Sequence, residues 1–158
     1  MKITNILLSI IILLLAVQIV LTIDMSSNLK EYQKEKLKPQ LPAGLRTDEQ
    51  KLELFNELKK YYNDKNYDAI YGWFDESVRV QFTKEKMMQT INILHSNFGD
   101  IINGAFTYFE PQPANNGLKL YVLYYTLKTT EGVATLKINI MQQNDDSYKK
   151  IGFTIKSN

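Results

Sequence analysis

The spacing of apolar residues changes once along this chain, near Gly99, and this change restricts the folds that the chain can adopt. Before Gly99, apolar residues recur every three or four positions, as on one face of an α-helix. After Gly99, they alternate with polar residues, as in a β-strand with one buried face. Three helical stretches followed by four strand-like stretches predict an α+β domain, in which the helices pack on a curved four-stranded antiparallel sheet.

Capping residues place the boundaries of the predicted helices. Thr47 and Gln50 have the spacing of a capping box, so the first helix should begin after Thr47. The third helix should begin after Thr83, another N-cap residue, and end at Gly99, since glycine commonly follows the last helical turn. A shorter helical pattern over residues 67–74 lies between them.

Strand-like segments fill the second half of the chain. Turn-forming residues separate them, which is typical of antiparallel hairpins. The predicted strands cover residues 102–108, 118–127, 136–140 and 151–155, with turns at 129–132 and 144–147.

The N-terminal segment has no charge between Lys2 and Asp24. A helix of about 20 apolar residues spans a bilayer core, so we predict a transmembrane anchor over residues 1–23 that contacts the lipid bilayer through residues 3–23. A cleaved signal peptide is the alternative, although no small-x-small cleavage site follows the apolar run. A signal-like segment with a short N-terminal end favours an extracytoplasmic domain in the periplasm or at the cell surface. The lysines that follow the segment favour the opposite orientation.

Residues 24–46 are predicted to form a stalk between the anchor and the domain. A run of alternating charges is followed by Pro39, Pro42 and Gly44, which break any helix. The remaining residues, 47–158, are predicted to form one domain.

Composition excludes several classes of function. A net charge of +2, from 19 basic and 17 acidic residues, gives no basic surface for nucleic acid. The chain has no cysteine, which excludes thiol catalysis, disulfides and cysteine-ligated zinc. His95 is the only histidine and no glycine-rich phosphate loop is present, so we predict neither a metal site nor a cofactor.

Three parts of the chain carry a resemblance to a known superfamily: residues 55–74, the helix 87–98 with the glycine after it, and the closing strand 151–155. Together they resemble small bacterial envelope proteins of the nuclear-transport-factor-like superfamily. The resemblance implies a cone formed by helices and a strongly bent sheet, and it implies dimerisation through a sheet face. The superfamily includes ketosteroid isomerases, dehydratases and assembly scaffolds, so the resemblance leaves the function open.

Enzymes of that superfamily place an acid, a histidine or a tyrosine inside the cone. Burial beside aromatic residues would raise the pKa of an acid such as Asp75. His95 has no carboxylate one helical turn away to orient it, so a structural histidine is the more common role. We assign no catalytic residue, and the candidate pocket residues are Tyr71, Trp73, Asp75, His95 and Tyr108.

The strand 118–127 is apolar on both faces. One face carries Leu118, Leu120, Val122 and Tyr124. The other face is the predicted protein interface, and a central strand covered on both sides is the alternative. The candidate interface residues are Tyr121, Leu123, Tyr125 and Leu127.

These features favour a membrane-anchored, extracytoplasmic binding or assembly domain that is not an enzyme. Its expected partner is a second copy or an envelope protein complex, and nucleic acid is excluded. The alternative is a small-ligand-binding protein, or an isomerase- or dehydratase-like enzyme that uses the cone. A third hypothesis is a regulatory domain on the cytoplasmic side.

Overall fold

The computed structural model describes residues 39–113 and 118–157, so the predicted anchor and most of the predicted stalk lie outside the described residues. The described chain is an α+β domain with one antiparallel sheet. Within these residues, no helix is both long and apolar enough to cross a bilayer. The elements are α1 (Asp48–Asn63), α2 (Tyr67–Trp73), α3 (Glu76–Arg79), α4 (Lys84–Phe98), β1 (Ile101–Gln112), β2 (Lys119–Thr129), β3 (Gly132–Gln142) and β4 (Tyr148–Ser157).

The predicted helix boundaries are confirmed by their caps. The Thr47 hydroxyl accepts a hydrogen bond from the Gln50 backbone N–H, and the Gln50 side chain accepts one from the Thr47 N–H. Gly99 ends α4 with a φ of +62°, and a Cβ at this position would lie 1.8 Å from the Thr130 hydroxyl oxygen. The single-turn helix α3 was not predicted, because one turn is too short to show helical periodicity.

The sheet has the order β1-β2-β3-β4, with every neighbouring pair antiparallel. Thr129 pairs with Gly132, so β2 and β3 are joined by a hairpin at the predicted turn. Strand β1 extends through Pro111 to Gln112, beyond its predicted end. Because β1 lies at an edge of the sheet, a proline without an N–H does not interrupt a hydrogen-bond ladder on both sides.

The core lies between α1 and one face of the sheet, which we call the inner face. Phe55 of α1 stacks on Tyr125 of β2 with ring centroids 5.4 Å apart, and Leu58 and Tyr62 are also buried. The inner face of β3 contributes further fully buried side chains, including Ile138. Burial of these large side chains supplies most of the driving force for folding.

The domain begins before its predicted boundary at Thr47. Leu41 and Leu45, which the sequence placed in the stalk, are 4% and 0% exposed and belong to the core. The Ala43 N–H donates to the Asp146 carbonyl oxygen, which ties this segment to the β3–β4 turn. Pro42 directly precedes a short helical turn, Ala43–Leu45, whose Leu45 side chain is buried. The stalk prediction is therefore wrong from Gln40 onward.

Candidate functional site

The four predicted interface residues are buried inside the domain. They lie on the inner face of β2 under α1, and the Tyr125 hydroxyl donates a hydrogen bond to the Lys51 carbonyl oxygen at 2.9 Å. The interface prediction for these residues is therefore wrong, since the chain itself covers them. Their exposed fractions are 4% for Tyr121, 0% for Leu123, 1% for Tyr125 and 1% for Leu127.

The opposite side of the sheet, which we call the outer face, carries the other apolar set of β2. Tyr108 of β1 stacks on Tyr124 of β2, with ring centroids 4.3 Å apart and a 12° angle between the planes. Leu120 pairs with Met141 on the same face. Val122 is buried between them without belonging to the main core, so the outer face has a small apolar cluster of its own.

Polar contacts hold the Tyr124 ring in place, and Tyr108 stacks on it. The Tyr124 hydroxyl donates a hydrogen bond to the Glu110 carboxylate at 2.7 Å, and this bond raises the pKa of Tyr124 to about 12. The Lys137 ammonium lies 4.7 Å from the centre of the Tyr124 ring. Tyr108 keeps 47% of its surface exposed. A fixed aromatic pair with an accessible ring is therefore presented to solvent.

A depression of about 570 Å³ adjoins the β2–β3 hairpin end of the sheet. Its lining includes Ala105, Thr126, Lys128 and Val133. Val133 is 60% exposed, so an apolar side chain stands open at this end as well.

The five predicted pocket residues make their contacts in different parts of the described fold. The Tyr71 hydroxyl donates to the Arg79 carbonyl oxygen at 3.0 Å. The Trp73 indole N–H donates to the Glu57 carboxylate at 2.9 Å. Tyr108 lies on the outer face, away from the helices. The polar groups of Tyr71 and Trp73 are therefore engaged in hydrogen bonds within the fold.

Asp75 caps the N-terminus of α3 and does not have the raised pKa that burial would give. Its carboxylate accepts hydrogen bonds from the Ser77 hydroxyl at 2.6 Å and the Ser77 N–H at 3.0 Å, and Lys149 lies 3.0 Å away. The Ser77 bonds are the main cause, and they lower the pKa of Asp75 from 3.8 to about 2, with Lys149 adding to the effect. A carboxylate that stays ionised is a poor general acid.

The cap at Asp75 predicts a pH dependence of stability. A carboxyl group with a lowered pKa stabilises the folded state above its unfolded value of 3.8, and this contribution is lost as the pH falls towards about 2. Asp75→Asn keeps a capping oxygen but removes the charge. Urea unfolding followed by Trp73 fluorescence should show that the variant loses less stability than the wild type across this range. Equal losses would contradict the assignment.

His95 has a carboxylate partner that its helical spacing did not show. Its Nε2 atom lies 2.8 Å from an Asp100 carboxylate oxygen, and the two residues meet because the chain reverses at Gly99. The imidazole ring also packs against Tyr62, with centroids 5.4 Å apart. These contacts join the C-terminal end of α4 to α1 and to the residue before β1, which is a structural role.

A second cavity, of about 270 Å³, lies between the helices and β4, and we call it the β4 groove. It is lined by residues 151–154 of β4, by one side of α4 that includes Met87 and Leu94, and by apolar side chains before α4, including Phe82. None of the five predicted pocket residues lines it. An isomerase- or dehydratase-like site would need at least two of their polar tips in one cavity, and the β4 groove holds none of them.

Metal-ligating side chains do not cluster in the part of the chain that the structure describes. No group of three or more histidine, aspartate or glutamate residues is placed to hold an ion there.

No protein-family model matches this chain, and no curated protein matches it. Several solved structures resemble part of it, among them the following two. Bd1075 from Bdellovibrio bacteriovorus is 14% identical with a TM-score of 0.39, and the likeness covers 67% of this chain and 38% of that one. Aln2 from a Streptomyces species is 9% identical with a TM-score of 0.39, and the likeness covers 66% of this chain and 85% of that one. Neither likeness is close enough to assign a fold family or a function.

Proposed function

We propose that this protein is a membrane-anchored binding domain that acts outside the cytoplasm through the outer face of its sheet. One observation carries the proposal: Tyr108 and Tyr124 form a stacked pair that remains open on one side, beside a second apolar cluster around Val122. Exposed tyrosines at a surface centre are frequent anchors of protein interfaces. The binding function needs no catalytic residue.

Pre-organisation of the outer face supports a binding role. The Tyr124 hydroxyl is fixed by Glu110, and its ring lies between Tyr108 and the Lys137 ammonium. Side chains that are already ordered lose little conformational entropy when a partner binds. The same polar contacts also stabilise the exposed Tyr124 ring when no partner is bound.

The charge of the outer face favours an envelope protein of different sequence over a second copy. Lys128 and Lys137 both lie on this face, as their pairing with Val133 and Tyr124 shows. Glu110 on the same face is already bonded to Tyr124, so each copy would present an excess of positive charge, which disfavours face-to-face pairing of two copies. A partner with an apolar centre and acidic residues at its rim complements the outer face.

The anchor and the superfamily resemblance belong to the same proposal. The charge-free segment between Lys2 and Asp24 supports attachment to the membrane. The order of helices before a four-stranded antiparallel sheet is compatible with a nuclear-transport-factor-like domain. We propose that the anchor holds this domain close to an envelope partner.

Co-purification from carbonate-washed native membranes tests the proposal. Full-length protein should remain in the membrane fraction, and an envelope protein should co-purify with it in a stoichiometric amount. Tyr108→Ser combined with Tyr124→Ser should reduce this recovery by about ten-fold or more, since losing an aromatic hot spot removes about 2 kcal/mol of binding free energy.

The matched control changes two exposed apolar residues that lie elsewhere. Leu52 on α1 and Ile93 on α4 are 50% and 60% exposed, and Leu52→Ser with Ile93→Ser should leave recovery unchanged. Unchanged recovery by the folded tyrosine variant would refute the outer face as the binding surface. Release of the protein by carbonate would refute the anchor.

A further inference from the structure

Strand β4 forms one edge of the sheet and is only partly covered. The Asp75 N–H donates to the Lys150 carbonyl oxygen at 2.9 Å, close to where the strand begins. Beyond Lys150, no other strand of the described residues pairs with this edge. An uncovered edge presents backbone N–H and C=O groups that can pair with another extended chain.

The centre of this edge lacks the charges that usually protect edge strands. Lys149 and Lys150 precede it, and their ammonium groups are bound to Asp75 and Glu57, at 3.0 Å and 2.6 Å. The following five residues, 151–155, are uncharged and include no proline. The β3–β4 register is irregular at Ile151, and the edge from Gly152 to Ile155 is left open to pairing.

The β4 groove runs beside the same residues. Its lining contains four consecutive positions of β4, 151–154, together with Met87, Ile91 and Leu94 of α4. Of these three helical side chains, Ile91 is buried and the other two are only partly buried. The apolar side of α4 thus extends past the point where the sheet ends, and an added strand would cover it.

We propose that an extended segment of a partner protein binds along β4 as a fifth strand and fills the β4 groove with apolar side chains. Backbone hydrogen bonds to the free edge supply affinity, and alternate side chains that enter the groove supply specificity. This site is separate from the outer face, so either proposal can fail without the other.

The groove and its flanks define the chemistry of this segment. No charged side chain lines the groove, and a charge buried there would lose hydration without a partner, so the centre of the segment is uncharged. Lys156 follows the uncharged stretch and has no ion pair with any described residue. An acidic residue at the corresponding end of the segment would complement it.

A second copy of β4 does not meet these requirements. Antiparallel pairing of two β4 strands about Phe153 would set Lys150 of each copy opposite Lys156 of the other. Like charges directly opposite each other destabilise a strand pair. The charge pattern therefore favours a different sequence with acidic flanks.

Peptide binding to the full-length protein in detergent micelles tests the proposal. The probes are fluorescent peptides of about ten residues, the length of a long strand, in which valine, isoleucine or phenylalanine alternates with threonine or serine between glutamate flanks. We expect binding by fluorescence anisotropy, together with slower hydrogen exchange at those amides of residues 151–155 that point away from β3. Control peptides with a central proline should not bind, because proline cannot continue the strand ladder.

Two exposed positions on α4 give a matched pair of variants. Thr90 lines the β4 groove and Gln89 does not. Thr90→Glu should weaken peptide binding by about ten-fold, equivalent to about 1.4 kcal/mol, whereas Gln89→Glu should not change it. Lys156→Glu should reverse the preference, so that lysine-flanked peptides bind better than glutamate-flanked ones.

Several results would overturn the proposal. These are equal binding of the proline peptides, unchanged exchange at residues 151–155 in the presence of saturating peptide, or no binding by any glutamate-flanked peptide. Self-association of the full-length protein that is abolished by Thr90→Glu would also overturn it, because the edge would then pair with a second copy.

Discussion

Gly104→Val should strongly destabilise the domain, because the backbone of β1 at this position lies directly against the core. A Cβ at Gly104 would stand 2.6 Å from Phe55 Cζ and 2.8 Å from Leu127 Cδ2. Both neighbours are almost fully buried and cannot move aside. Overpacking of this kind typically lowers the free energy of unfolding by about 1–3 kcal/mol. We expect Gly104→Ala to lower it by an amount within this range, and Gly104→Val by an amount at or above the upper end.

Gly72 provides the matched control for Gly104. It lies in α2, and a Cβ there would meet no atom within 4 Å. Gly72→Ala should stabilise the protein by about 0.4–1 kcal/mol, because alanine restricts the unfolded chain without a clash. Urea unfolding followed by the fluorescence of Trp73, the only tryptophan, measures both effects. Equal stability of the two glycine variants would contradict the packing described for β1.

Tyr125→Ala and Tyr124→Ala should differ widely in stability although the residues are adjacent. Tyr125 is 1% exposed and packs against the rings of Phe55 and Phe106, and its hydroxyl is bonded to the Lys51 carbonyl oxygen. Truncating a buried aromatic side chain typically costs about 3–5 kcal/mol. Tyr124 lies on the outer face, and its loss should cost about 1 kcal/mol, typical of one cross-strand aromatic pair.

A conservative variant separates packing from hydrogen bonding at the buried position. Tyr125→Phe keeps the ring but leaves the Lys51 carbonyl oxygen without this donor, so we expect a loss of about 1 kcal/mol. The same unfolding assay measures all three variants. A Tyr125→Ala protein as stable as Tyr124→Ala would contradict the assignment of inner and outer faces.

The boundaries of the long helices and the turns between strands could be predicted from the sequence because they depend on neighbouring residues. Thr47 with Gln50, Thr83 and Gly99 each act within one helical turn of the boundary that they set. Alternating residues likewise identify β3 and β4 without knowledge of their partners. Such local signals account for the agreement between the predicted and observed order of elements.

The choice of the buried face of β2 could not be predicted in this way. Both faces are apolar, so the pattern within β2 does not show whether the face of Val122 or the face of Leu123 is turned to the core. The decision depends on α1, because the Phe55 ring fits over Gly104 of a neighbouring strand and stacks on Tyr125. A single glycine within a strand pattern does not reveal that a phenylalanine 49 positions earlier in the chain occupies its space.

Contacts at the candidate site likewise could not be predicted from the spacing of neighbouring residues. The His95–Asp100 pair joins residues five positions apart across the reversal at Gly99, outside the spacing that helical periodicity considers. Leu41 and Leu45 belong to the core through contacts with the rest of the domain, although the prolines around them are typical of a linker. The β4 groove depends on where the sheet ends, and the sequence of β4 alone does not show that it is an edge.

Site-specific photo-crosslinking in intact native membranes tests the central claim most directly. A benzoylphenylalanine at position 108 places the reactive group on the outer face, and one at position 93 places it on the exposed side of α4. We predict a discrete adduct with an envelope protein from position 108, lost when Tyr124→Ser is added, and no such adduct from position 93. The same adduct from position 93, with none from position 108, would contradict the account.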